Sequence, residues 1–314
     1  MASVSLYLFA VGAVGLAIAF VLDVMHTTEL AVGRRSVTAT LSMKQPLVAS
    51  VGGGPIVTVG SSRENALEAA FSSTLTTTPG SIGHSFAWLA FLMMGASLAI
   101  RAWLVGRGPW GNMYEFSIAF AVGILGGYLF LARRYPIRAI AFLPIGVALF
   151  LVGYAATLPA AIEPLVPALA NAPLLTIHVA MAMISYGIFA TAFGAAVAYL
   201  AQGPHDRFAW LPSHKTLDEV AYRAVIIGFP IFATMIVLGS WWASIAWSRY
   251  WGWDPKETAA LVTWLIYAVY LHARNQRSWA GRPAALLLVI GFGMVLVTYS
   301  GSLWFSGLHA YSGL

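Results

Sequence analysis

The sequence predicts an all-α, polytopic membrane protein with about eight transmembrane helices and an external tryptophan-rich segment. Three observations carry that prediction. Of 314 residues, 60% are hydrophobic and only 9% are charged, against about 25% charged in soluble domains. The apolar residues fall into long runs of the ~20 residues that cross a ~30 Å hydrocarbon core. The polar residues between them collect into loops whose basic content alternates from one loop to the next. The formal charge of +6 is therefore a topological signal and not a nucleic-acid one. The chain has no cysteine, which excludes thiol catalysis, disulfides and covalent haem attachment to this chain through a C-x-x-C-H motif. Any thiol chemistry in its pathway belongs to partners.

Taken in order, the predicted spans are 4–22, 85–105, 114–132, 139–158, 174–201, 224–246, 258–273 and 283–305. The first has no basic region before it, and Asp23 follows it in place of a small-residue cleavage site, so it reads as a span and not a cleaved leader. The whole of 1–314 reads as a single integral membrane domain, with long polar loops at 24–84 and 202–223 and the tryptophan segment at 247–257. One alternating set of loops carries Arg34, Arg35, Lys44, Arg63, Arg133, Arg134, Arg138, Arg207, Lys215, Arg223, Arg274, Arg277 and Arg282. The other carries only Arg101, Arg107, Arg249 and Lys256. The basic set is expected in the cytoplasm, which puts both termini and the tryptophan segment outside.

Trp241, Trp242, Trp247, Trp251 and Trp253 crowd more densely than an interfacial belt requires. Flat indoles make a platform for a large flat ligand with an apolar body and a polar edge; a porphyrin, a quinone and an aromatic lipid all fit. Asp254-Pro255-Lys256-Glu257 reads as a helix start: Asp at the N-cap, Pro in the first turn, Glu placed to close a capping box. Arg249 and Lys256 remain to meet carboxylates such as haem propionates. The topology sorts the histidines. His178 and His309 fall on the tryptophan side, where two neutral imidazoles could serve as paired axial ligands. His272 lies about fourteen residues into its helix, ~21 Å deep toward the opposite leaflet, where an ionisable side chain is a functional candidate. His26 and His84 share that side, and His205 and His214 fall in a charged loop expected to be solvated.

The run Trp247-Ser-Arg-Tyr-Trp-Gly-Trp-Asp-Pro-Lys-Glu-Thr258, with Thr263–Tyr267, Tyr270–Arg274, Asn112–Glu115, Ile177-His-Val179, Asp218–Arg223, Gly228-Phe-Pro230 and Gly307–Tyr311, resembles the WWD family of haem-handling proteins. Within it, the chain is most similar to the CcsA/ResC-type branch of system II cytochrome c biogenesis. The resemblance covers roughly the C-terminal two-thirds and little of the first ~80 residues. It implies a membrane subunit of a cytochrome c synthase (haem lyase) that carries haem b, non-covalently, to the outer face of a bacterial plasma membrane. There the haem would be positioned for thioether attachment to apocytochrome c. His178 and His309 would be outer axial ligands over Trp242, Trp247, Trp251 and Trp253, and His272 the ligand of an inner site. The second inner ligand would come from a separate CcsB/ResB-type subunit, leaving His26 and His84 as bystanders. Thioredoxin-like proteins would keep the substrate thiols reduced. Ser248 departs from the family's usual Gly, and Ala259 from its frequent Trp. A haem exporter, a CcmC-like haem loader without ligation activity and a quinone-binding redox subunit are the competing readings.

Overall fold

The computed structural model describes residues 1–43, 78–162, 172–203, 206–208, 210–276 and 279–309. Eight α-helices are present among them: α1 (Ala2–Met43), α2 (Thr78–Val105), α3 (Met113–Ala132), α4 (Phe142–Ala156), α5 (Ala172–Gln202), α6 (His214–Trp247), α7 (Pro255–Arg274) and α8 (Arg282–Trp304). A 3₁₀ turn, Arg138–Ile140, precedes α4. No strand occurs among the described residues. Six helices are long and apolar enough to cross a membrane. The two others are α4, which is shorter, and α7, whose first turn carries Lys256 and Glu257.

A buried core draws residues from all eight helices. The outside of the bundle remains apolar: Val237, Phe150, Leu265 and Ile290 are among its exposed side chains. An apolar interior and an apolar exterior together are what lipid solvation requires, because the backbone polar groups are already paired within the helices. α3 and α5 approach until their backbones touch, and a side chain added at Gly187 would strike the Gly123 carbonyl. Close approach through small residues is how helices associate in lipid, where no hydrophobic force drives them together.

Both predicted loops are shorter than expected, because helices extend into them at the described residues. α1 continues past Asp23 to Met43, and α2 starts at Thr78, so residues 24–43 and 78–84 are not loop. α6 starts at His214, so of 202–223 only the first part connects helices. Charge does not end a helix; proline, glycine and capping do. From Asp23 to Met43 there is no proline, Asp23 and His26 are buried, and Thr27 donates to the Asp23 carbonyl at 2.8 Å and the Ala139 carbonyl at 3.1 Å. Pro79 sits in the first turn of α2, where a missing N–H costs nothing. Ser213 caps α6 by accepting from the Thr216 N–H. His205, Lys44, Arg63 and Arg277 lie outside the described residues.

Candidate functional site

At one end of the bundle a cleft of ≈ 1040 Å³, its open mouth included, is walled by α3, α5, α6, α7, α8 and the residues just beyond α8. His178 enters it from α5 and His309 from beyond α8, and Trp242, Trp247, Trp251 and Lys256 line it with them.

The tryptophan segment gets its shape from its ends. α6 stops at Ser248, which takes a left-handed backbone at φ 56°. Trp253 does the same at φ 54°, a conformation that is costly for a bulky L-residue. Between these bends, Ser240 donates to the Tyr250 carbonyl at 2.7 Å and ties the segment back to α6. The result splits the tryptophans. Trp251 lines the cleft, while Trp253 is 69% exposed and, like the exposed Trp241, takes no part in its wall. Trp242 and Trp247 meet edge to face at 4.7 Å and enclose the His309 ring, at 6.1 and 4.9 Å between centroids. Such aromatic contacts are worth about 0.5–1.5 kcal/mol each beyond burial.

Asp254 has two functions. It caps α7, accepting from the Lys256 N–H at 3.0 Å, while the Glu257 carboxylate accepts from the N–H groups of Gly252 and Asp254 to complete a capping box. It also accepts from His309 Nδ1 at 2.7 Å and from the Leu308 N–H at 2.5 Å. Burial by itself would raise the Asp254 carboxyl, but these hydrogen bonds outweigh it and hold the group below its ordinary value. His178 has an equivalent support: its Nδ1 meets the Met235 carbonyl at 2.8 Å, and its ring lies against Gly239. A Cβ at residue 239 would stand 2.5 Å from His178 Cε1, so glycine there makes the room the imidazole occupies. A carbonyl and a carboxylate only accept. Both Nδ1 atoms therefore carry the proton of these hydrogen bonds, which fixes how each ring is turned toward the cleft.

Lys256 lies over the Phe116 ring at 5.1 Å and has no ion pair among the described residues. Arg249 is exposed and does not line the cleft. His272 sits at the far end of α7, exposed, with Nε2 accepting from the Gln276 amide at 2.8 Å. His26 and His84 are at that end too; Trp88 donates to His84 at 3.3 Å. His214, at the first residue of α6, is tied to Asp206 at 2.9 Å. Sequence reasoning missed the wall facing the tryptophans: Trp110, Phe116, Tyr186, Met235, Gly239 and Thr298. No local pattern marks them, because they come from the turn before α3 and from four separate helices, α3, α5, α6 and α8.

A family described as cytochrome c assembly protein matches residues 110–309, a stretch that begins and ends on two cleft residues. The chain belongs to that family. Among its curated relatives, the cytochrome c biogenesis protein CcsA of Synechococcus elongatus is 34% identical, over 73% of this chain and 87% of its own length. That of Guillardia theta is 34% identical, over 74% and 86%, and that of Porphyra purpurea 32%, over 72% and 85%. The chain is thus a CcsA-type protein with a role in cytochrome c maturation, and a multi-pass membrane protein. The left-handed backbone at Ser248 is one that glycine adopts without strain.

Proposed function

We propose that the cleft holds haem b as cargo, with its iron between His178 and His309, and presents the porphyrin edge for attachment to apocytochrome c. The observation that carries this reading is that both histidines line one aromatic cleft and each is held from behind through Nδ1. A neutral imidazole oriented by a carbonyl or carboxylate is the arrangement of an iron or zinc ligand prepared in advance. The surroundings suit the rest of the molecule. Trp247, Trp251 and Phe116 offer apolar faces, and Lys256 offers a cation to a propionate.

On this reading the chain contributes positioning, and the bond chemistry belongs to haem and substrate. Two imidazoles saturate the iron and keep it unreactive. Each thiol of the incoming C-x-x-C-H segment adds S–H across a vinyl double bond, so that sulfur and hydrogen both end on the former vinyl carbons. The substrate histidine would displace one of the two protein imidazoles, and thioether formation would weaken the hold of the other, so that the product can leave. The alternation of basic loops supports an orientation with this end outside the plasma membrane. His272, exposed at the other end, would bind incoming haem together with a ligand from a CcsB/ResB-type subunit. Thioredoxin-like proteins would act only indirectly, on the substrate thiols.

The test is an absorption spectrum of the detergent-purified chain. Six-coordinate low-spin haem is expected, lost in His178→Ala and in His309→Ala and partly restored by added imidazole. Unchanged haem content in both variants would overturn the proposal.

A further inference from the structure

Beside the cleft lies a buried ionic knot that the haem-binding residues do not explain. The Glu115 and Arg101 side chains are each 1% exposed and are joined at 2.8 Å. Glu115 also accepts from the Gly111 N–H at 2.8 Å and from Arg107 at 3.5 Å. Arg101 donates onward to the carbonyls of Ala160 at 3.0 Å and Ala161 at 3.4 Å, beyond the end of α4. Asn112, which caps α3 by accepting from the Glu115 N–H at 2.9 Å, donates to the Ala161 carbonyl at 3.1 Å. One carboxylate therefore gathers the end of α2, the 106–112 turn, the start of α3 and the chain after α4.

A buried ion pair is a poor source of net stability, since desolvation costs about as much as the attraction returns. Its value is geometric, and here the geometry leads to the cleft. Arg107 donates to the Gly108 carbonyl at 3.0 Å, and the Gly108 N–H donates to Thr176 Oγ1 at 3.0 Å. Thr176 precedes His178 by two residues on the first turns of α5. The Trp110 indole lies against Gly108, where a side chain would collide with it. Trp110, Asn112, Met113 and Phe116, all within or next to the knot, form the wall facing the tryptophan segment.

We infer that Glu115 is a positioning residue for the cleft: through Arg101 and Arg107 it sets the Trp110–Phe116 wall and, through Gly108 and Thr176, the turn that carries His178. The inference rests on the haem reading above, and its test separates the two. Glu115→Gln keeps the side chain's shape and removes its charge. In the purified chain it is expected to lower the low-spin haem fraction at least threefold, with added imidazole restoring the low-spin signal because the His178 ligand is misplaced and not absent. Thr176→Val, a milder change at the other end of the relay, is expected to shift the spectrum in the same direction by less, and it decides the matter if Glu115→Gln does not accumulate in the membrane. A wild-type haem spectrum in whichever of these variants folds would overturn the inference, including the case where Glu115→Gln only lowers yield. His178→Ala and His309→Ala, measured alongside, report on the haem reading independently. If they lose haem while Glu115→Gln keeps it, the reading stands and the positioning role falls.

Discussion

At the cleft end of the bundle, His178 and His309 face a shared aromatic hollow, and each ring is fixed from behind by a hydrogen bond to its Nδ1. At the far end, His272 is exposed on one side of α7, below the exposed Val262, Leu265 and Val269, and its Nε2 accepts from the exposed Gln276 one turn on. The first arrangement is complete within one chain. The second has, among the described residues, neither a wall nor a rigid support for its imidazole. On the proposed reading, this is the difference between a station where haem is held in a set orientation for reaction and one that a second subunit must close.

That contrast can be broken at its supports. Asp254→Asn removes the carboxylate behind His309 while keeping its shape, and loss of such a support costs about 10–100-fold in affinity. Haem titration of the purified chain should show a fall in that range. The same bond gives a pH dependence. The Asp254 carboxyl is held below its unfolded value, so its stabilisation is complete above the unfolded value of about 3.9 and is lost as the pH falls through the lower folded one. Thermal melts should therefore show the wild type losing more stability in acid below that value than Asp254→Asn does.

Gly239→Ala separates packing from binding. Within a helix, alanine is better than glycine by about 0.8–1 kcal/mol, yet here its Cβ would press on the His178 ring. Haem affinity should fall about tenfold, roughly 1.4 kcal/mol, while the melting temperature holds or rises. A parallel loss of both would show that residue 239 matters to the fold and not to the ligand. The smallest effect is expected at Ser248. Relieving its left-handed backbone with glycine should gain a few tenths of a kcal/mol, because a strain of about 1–2 kcal/mol is offset by glycine's added unfolded-state freedom. Denaturation should detect the gain, and the haem spectrum should not change.

Much of this was legible in the chain itself, for identifiable reasons. Lipid imposes length and apolarity on a span, so the helices could be counted. Capping is local, so Asp254 and Glu257 were readable as a capping box, and the structure has both halves of it. The alternation of loops placed His178 and His309 at one end and His26, His84 and His272 at the other, as observed. The limits of α1 and α6 were not legible, because charged residues were read as loop where nothing ended the helix. Nor was the second duty of Asp254, since the bond to His309 joins positions 55 residues apart. The exposure of Trp253 and Arg249 depends on two left-handed backbone positions that no residue in the segment announces. The facing wall and the Glu115 knot arise from packing among four stretches of chain.

The central claim is that the cleft is a complete haem site within this one chain, independent of His272. The most direct measurement is the haem stoichiometry and spectrum of His272→Ala, purified without a partner subunit and supplied with haem. One six-coordinate low-spin haem per chain, indistinguishable from that of the wild type treated in the same way, is the predicted result. Loss of the low-spin haem in His272→Ala, with its retention in the double variant His178→Ala, His309→Ala, would contradict the account.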